Sequence, residues 1–342
     1  MASIENLYGK TLDELYRITS SMNLPDYTAR QISQWLYQKK VTHINDMTNL
    51  SKATRLALHS KYTIKLNAPV KIQVSSDGTK KYLFPASHDK YIETVFIPES
   101  KRNTLCVSSQ IGCKMGCVFC MTGKQGFHGN LTSGEILNQL VSLPGDEKIT
   151  NIVFMGMGEP MDNVHNLINA LEILTADWGF GLSPSRITVS TICILPGMKE
   201  FINNSKCHLA ISLNSPFHEE RFRLMPVEKK YAIRDILMYL KNQSLERQRR
   251  VSFEYILFRG VNDSPSHIKE LARLLNGFRC RVNLIRYHPV PGVQLESPDE
   301  ETIIRFKDRL NEKGLLTTIR ASRGQDIMAA CGMLSTLNSS SY

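Results

Sequence analysis

Residues 112–126 read GCKMGCVFCMTGKQG, and the C-x3-C-x2-C spacing of Cys113, Cys117 and Cys120 governs how the remainder of the chain is interpreted. Structural zinc sites complete a shell of four ligands, often as two C-x2-C pairs, so three closely spaced thiols fall one short. A four-iron cluster held by three thiolates keeps one iron open to a substrate, and Gly112, Gly116 and Gly123 let the backbone wrap around such a group. A zinc knuckle completed by His128 or by a distant cysteine satisfies the same string. Buried, unliganded cysteines fit it poorly, because Lys114, Lys124 and the glycines make a weak core segment.

On both sides of this loop, strand and helix patterns alternate. TLCVSSQ precedes it, and Thr132 with Glu135 caps a helix after it. Strands follow at NIVFM, RITVS, HLAISLN, VSFEYILF, RVNLIRY and LLTTIRA, with helices between, one begun by Ser297-Pro298 with Glu300 completing its cap. Such repeats predict an α/β fold with a parallel sheet whose site lies at the C-terminal ends of the strands, where the cysteine loop falls. MGMGEP (155–160) ends the second of these strands: its glycines suit close backbone approach to a ligand or a tight βα turn, and Glu159 can accept from an amino group or a ribose hydroxyl. Ser190, Ser212, Leu213, Asn214 and His288 fall on the same predicted rim. Cys106 on the first strand and Cys331 beyond the last can reach it too, whereas Cys193, Cys207 and Cys280 read as small buried residues.

Before the repeats, residues 7–65 read as three helices, with a Thr11/Glu14 capping box and Ser51 as a further cap. Arg30, Lys39, Lys40, Lys52 and Arg55 lie between the apolar positions, so the module is either a solvated accessory domain or an RNA grip. Residues 70–99 switch to short strands turning at Asp77-Gly78. Glu93, in YIETVFI, is an ordinary strand glutamate or a buried acid–base group whose pKa burial would raise.

The chain has 342 residues, 42% of them hydrophobic, which is ample for a core. No run of about eighteen apolar residues occurs and MASIENLYGK lacks a signal-peptide pattern, so a cytoplasmic protein is expected. Eight cysteines over this length do not read as a secreted disulfide framework. A net charge of +10 favours an anionic partner, nucleic acid above all, with basic clusters at Lys229-Lys230 and at 247–250.

The cysteine triplet with Phe119 resembles the signature of radical S-adenosylmethionine (SAM) enzymes. LCVSSQIGC, GCVFCMTGKQGF, MGMGEP, ISLNSP, RGVNDS and DIMAACG together resemble RlmN-type dual-specificity adenine-2 methyltransferases, from the N-terminal module to Leu334. The resemblance implies an α/β fold of radical SAM type: a partial (β/α)6 barrel over 99–335, a helical RNA-binding accessory domain over 1–66, a β-rich bridge over 67–98 and a flexible tail over 336–342. It implies methylation of adenosine carbon 2 in 23S rRNA, in the peptidyl-transferase region, and in tRNA, 3′ of the anticodon. Cys113, Cys117 and Cys120 would hold a 4Fe-4S cluster, and Cys331 would carry the methyl group, with Cys106 as resolving thiol and Glu93 as proton acceptor. A disulfide between Cys106 and Cys331 would close each cycle. Gly158, Glu159, Ser190, Ser212, Leu213, Asn214 and His288 would contact SAM, two molecules of which are used per turnover; many relatives carry asparagine where His288 stands. A low-potential donor such as flavodoxin or ferredoxin would supply electrons to what is expected to be a monomer. Cfr-type enzymes, which methylate carbon 8, share the five cysteines, but KQGF and the N-terminal module are RlmN-like. A non-catalytic RNA protein with Cys113, Cys117, Cys120 and a fourth ligand as a structural zinc site is the alternative of a different class, and an activase for a glycyl-radical enzyme gives no reason for Cys106 and Cys331.

Overall fold

A computed structural model of the chain describes residues 4–145, 147–243 and 250–336. The alternating and apolar runs form one ten-stranded sheet. Its strands are β1 (Lys71–Val74), β2 (Lys80–Ala86), β3 (Lys90–Glu99), β4 (Arg102–Cys106), β5 (Asn151–Phe154), β6 (Ile187–Thr191), β7 (His208–Ser212), β8 (Val251–Leu257), β9 (Cys280–Arg286) and β10 (Thr317–Ile319). They lie side by side in sequence order from β10 to β1. The strands β4 to β10 are all parallel, and β1 to β4 pair antiparallel. Parallel neighbours that never reverse their order are wound as in a (β/α) barrel, without the switch point of a doubly wound sheet. The expected partial barrel is therefore present, extended at one edge by the three strands of 71–99.

Helices α1 (Leu12–Ser21), α2 (Tyr27–Ser33) and α3 (Lys52–His59) build the N-terminal module. Thr11 accepts from the Glu14 amide at 3.3 Å while Glu14 accepts from the Thr11 amide at 2.8 Å, so the predicted capping box closes. The second helix continues into a π-helical turn, Gln34–Gln38, that aims Leu36 and Tyr37 inward. Between the parallel strands run α4 (Met121–Gln125), α5 (Ser133–Val141), α6 (Val164–Thr175), α7 (Leu195–Asn204), α8 (His218–Leu224), α9 (Ile233–Lys241), α10 (Pro265–Leu274) and α11 (Glu300–Glu312). The last is capped by Asp299, which accepts from the Thr302 amide at 2.7 Å, not by Ser297. An aspartate is as good a cap as a serine, and the helix starts beside it.

The module does not stand apart from the sheet. Buried Tyr37 stacks near Trp178 and Phe180, and Ser133 Oγ donates to the Gly9 carbonyl at 2.7 Å. A Cβ on Gly9 would lie 2.3 Å from the Gly134 nitrogen, so backbone meets backbone there. Two of the module's cations are held within the protein: Arg30 pairs with Asp177 at 2.9 Å, and Lys39 sits over the Trp35 ring. Of the basic run at 247–250 only Arg250 lies within the described residues, and the tail is described to Thr336.

Candidate active site

After β4 the chain forms a small hairpin, Gln110–Gly112 with Phe127–Asn130, which the sequence patterns did not announce. Its crossing explains Gly112: at φ +73° it brings its Cα so near the Gly126 carbonyl that a Cβ would sit 1.8 Å from that oxygen. Between the two strands lies the cysteine loop, anchored by the Cys113 amide on the Gly126 carbonyl at 2.9 Å and the Val118 amide on the Leu224 carbonyl at 3.1 Å.

Cys113, Cys117 and Cys120 all line one cleft. Burial pushes the Cys113 thiol up to about 12 and raises Cys117 and Cys120 as well. Thiols so placed become thiolates only when a cation joins them, which suits a metal-cluster donor set. Among the described residues no three His, Cys, Asp or Glu side chains converge on one point as they would around a single ion. What the three thiols share is the wall of a cleft.

The same cleft is lined by Gly158, Glu159, Ser190, Ser212 and Asn214, five of the seven residues expected at SAM. Leu213 is buried outside it, with its amide on the Glu254 carbonyl. His288 lines a second cavity and is half-buried, its pKa lowered by desolvation and then by Arg286. Gly158, at φ +98°, presses against strand-end residues: a Cβ would lie 2.5 Å from that of Gln110, so its packing partner is the protein itself. Buried Glu159 accepts from Thr191 Oγ1 at 2.6 Å and from the Met161 and Ile192 amides, both at 3.0 Å. A carboxylate offers about four acceptor positions, so one remains. Desolvation, only partly opposed by those bonds, pushes its carboxyl up to about 7.

The second cavity holds Cys106, Arg102, Thr104 and His288, and it shares Met155, Ile285, Arg320 and Cys331 with the cleft. Cys106 and Cys331 are unbridged. Burial first, then the proximity of Cys331, pushes Cys106 up to about 12, while Arg320 opposes. The Arg320 guanidinium is itself desolvated, but Cys331, Glu254 and Cys106 carry it above its ordinary value. Arg323, the other arginine near Cys331 in sequence, faces Asp77 at 4.0 Å.

Glu93 lines neither space. Its carboxylate, in a third cavity, pairs with Lys81 at 2.9 Å and accepts from the Ser335 amide at 2.9 Å. Desolvation raises its pKa against the pull of Lys81. The C-terminal strap that carries Cys331 is thus fixed at several points: the Met121 amide donates to the Gly332 carbonyl at 2.8 Å, Thr122 Oγ1 to the Leu334 carbonyl at 2.7 Å, and the Gly324 amide to Asp77 at 3.0 Å.

Support beneath the cleft comes from residues without a local signal. Fully buried Arg221 pairs with Glu228 and donates to the carbonyls of Leu213 and Ser212, both at 3.0 Å, and Ile192 at 3.2 Å. Asn262, in the RGVNDS string, donates to the Asn214 and Ile256 carbonyls, both at 2.7 Å, tying the end of β7 to that of β8.

Residues 107–275 match the radical SAM superfamily, and residues 5–64 match the ribosomal RNA large subunit methyltransferase N-terminal domain. The chain is 54% identical over 330 residues, 96% of each chain, to a probable dual-specificity RNA methyltransferase RlmN of Bacteroides fragilis. It is 43% identical, again over 96% of each, to the dual-specificity RNA methyltransferase RlmN of Syntrophus aciditrophicus. The crystal structure of a radical SAM methyltransferase from Sphaerobacter thermophilus superposes with a TM-score of 0.88 at 39% identity, covering 96% of this chain and 99% of that one. With its cysteine triplet gathered in one cleft and this likeness along nearly its whole length, the chain belongs to the RlmN family of radical SAM RNA methyltransferases.

Proposed function

We propose that this protein methylates carbon 2 of adenosine in the peptidyl-transferase region of 23S rRNA and 3′ of the anticodon in tRNA, through a methyl group carried on Cys331. The observation that carries this reading is the place of Cys331 in the wall common to the cysteine-lined cleft and the cavity of Cys106. Carbon 2 of adenine is not nucleophilic, so simple displacement on a SAM methyl group gives it no route. Cys113, Cys117 and Cys120 would hold a 4Fe-4S cluster that, with SAM and electrons from a flavodoxin- or ferredoxin-class donor, would supply the radical chemistry needed.

Gly158, Glu159, Ser190, Ser212 and Asn214 bind and orient SAM in the cleft. Cys331 takes a methyl group from a first SAM by displacement, with the Arg320 charge beside it favouring thiolate attack. Hydrogen abstraction from that S-methyl group, at the expense of a second SAM, leaves a methylene radical that adds to carbon 2, and the one electron given up when the carbon-2 proton leaves would return to the cluster. Glu93 is the group proposed to accept the carbon-2 proton, which requires that its carboxylate leave both Lys81 and the Ser335 amide and turn from its own cavity toward that of Cys106; its burial favours the protonated form that results. Cys106 then attacks the Cys331 sulfur, the sulfur–carbon bond breaks with its electron pair going to the carbon, that carbon takes up a proton to become the methyl group, and the RNA leaves a Cys106–Cys331 disulfide that must be reduced before the next cycle.

Mass spectrometry of reaction mixtures tests the scheme. Cys331→Ala is expected to abolish product and Cys106→Ala to trap a covalent protein–RNA adduct; free methylated RNA at normal yield from either variant refutes it. A wild-type product methylated at carbon 8 would move the assignment to the Cfr type.

A further inference from the structure

The Cys106 cavity runs along the sheet face away from the cysteine loop. From Cys106 it reaches Thr104, Arg102 and Glu99 at the start of β4, about 13 Å along the strand at a rise of ~3.3 Å per residue. Three further arginines lie toward the same end of the parallel strands. Arg186 immediately precedes β6, Arg250 immediately precedes β8, and Arg281 lies in β9. Side chains alternate along a strand, so Arg186, Arg250 and Arg281 share the face of Ser190, Glu254 and Ile285, all of which line the cleft. Register puts Asn151 opposite Thr104, and Arg186 reaches Asn151 Oδ1 at 3.5 Å. Arg281 is the partner of Ser252, two residues after Arg250.

All four arginines are exposed, and among the described residues none is in a salt bridge. Arg186 and Arg250 act on Arg102, and Arg281 joins them by strand register. The Arg102 guanidinium is held below its ordinary value by desolvation and by Arg320, Arg186 and Arg250, with Glu99 the one opposing influence. Four cations at one end of the sheet, offset by the single carboxylate of Glu99 and held in no salt bridge among the described residues, make a receptor for anions.

We propose that Arg102, Arg186, Arg250 and Arg281 clamp the RNA phosphates flanking the target adenosine, which enters the Cys106 cavity from the strand-start end. The proposal rests on the RNA methyltransferase reading above. The opposite end of the parallel strands carries the cysteine loop and the SAM cleft, whereas Glu99 and Arg102, at the strand-start end of the cavity, are exposed to an approaching base. A flipped nucleotide with its base near Cys331 leaves its phosphates at that mouth, where arginine is suited to bidentate contact. An acidic electron-donor protein would find the same cations, but on the side away from the cysteine loop it must reduce.

The test uses the full-length chain with Arg186, Arg250 and Arg281 all changed to Gln, and a parallel variant with all three changed to Lys. Circular dichroism melting establishes that each is folded. Fluorescence anisotropy reads binding of a labelled stem–loop RNA bearing an unpaired adenosine, across a salt series. At about 0.7 counterions per single-strand phosphate, the Gln variant is expected to lose about 2 from the slope of log K against log salt, and on the order of 100-fold in affinity near ~0.1 M salt. The Lys variant keeps its charges and is expected to keep the slope. Wild-type affinity and slope in the Gln variant overturn the clamp. Slower reduction by an acidic one-electron donor with unchanged RNA binding overturns it too and makes the ring that protein's dock. A wild-type protein that neither binds nor methylates the stem–loop would instead overturn the RNA reading beneath it.

Discussion

Replacing Arg221 with methionine tests whether the strand ends are held electrostatically. Methionine fills most of the same space, so little cavity is created and the change falls on charge and hydrogen bonding. Glu228 loses its buried cation and keeps only His218 Nδ1 at 2.9 Å and the Ile233 amide at 3.0 Å, while three strand-end carbonyls lose a donor. Removing one partner of a buried ion pair costs about 3–5 kcal/mol. At about 2 °C per kcal/mol for a chain this long, the melting midpoint is expected to fall by about 6–10 °C. SAM affinity should fall with it, because two of the carbonyls belong to Ser212 and Leu213, which set the course of the chain into Asn214. Adding Glu228→Gln removes the stranded charge and is expected to recover about half of the loss. Differential scanning calorimetry and titration of SAM read both quantities. A single variant melting within about 2 °C of wild type, or a double variant whose losses simply add, would refute the reasoning.

SAM affinity is expected to strengthen as pH rises through about 7, where Glu159 ionises and can meet the ligand's ammonium, and to become flat in Glu159→Gln. Stability without SAM runs the other way. The folded carboxyl lies above its ordinary 4.5, so its contribution is complete below that pH and is lost as pH climbs to about 7, about 3 kcal/mol in all, read as the difference between the wild-type and Gln melting curves. Tyr37→Phe leaves the Lys10 carbonyl and Gly9 amide without the hydroxyl they share, at 2.6 and 3.2 Å, and is expected to cost about 1–3 kcal/mol by urea denaturation. An unchanged midpoint would mean that water replaces the hydroxyl.

The parallel repeats and the cysteine loop were legible because each strand is a compact apolar run and each helix start is marked by a cap. Thr11, Ser51 and Thr132 cap where the local pattern places them. The cleft was legible in Cys113, Cys117, Cys120 and Glu159, whose residue types carry chemistry. Gly158 was noticed for the right conformation, but its close neighbour is Gln110, a contact between strand ends that no local pattern encodes. Arg221, Glu228 and Asn262 were invisible for the same reason: a buried ion pair is indistinguishable from a solvated helix charge until tertiary structure covers it. The Ser335 amide on Glu93 joins residues 242 positions apart, far beyond any periodic signal.

The strap around Cys331 is pinned on both sides, at Asp77 before it and at Thr122 after it, yet the cysteine between those pins is exposed. A sulfur standing in a shared partition needs no journey between two stations. If Cys331 carries the methyl group as proposed, turning about its own Cα–Cβ bond can point it toward the cleft to be loaded or toward the Cys106 cavity to unload, and exposed side chains make such turns in picoseconds to nanoseconds. Alternation between the two half-reactions is then gated by one torsion angle and the bulk of whatever the sulfur carries, and no hinge between domains is required to keep time.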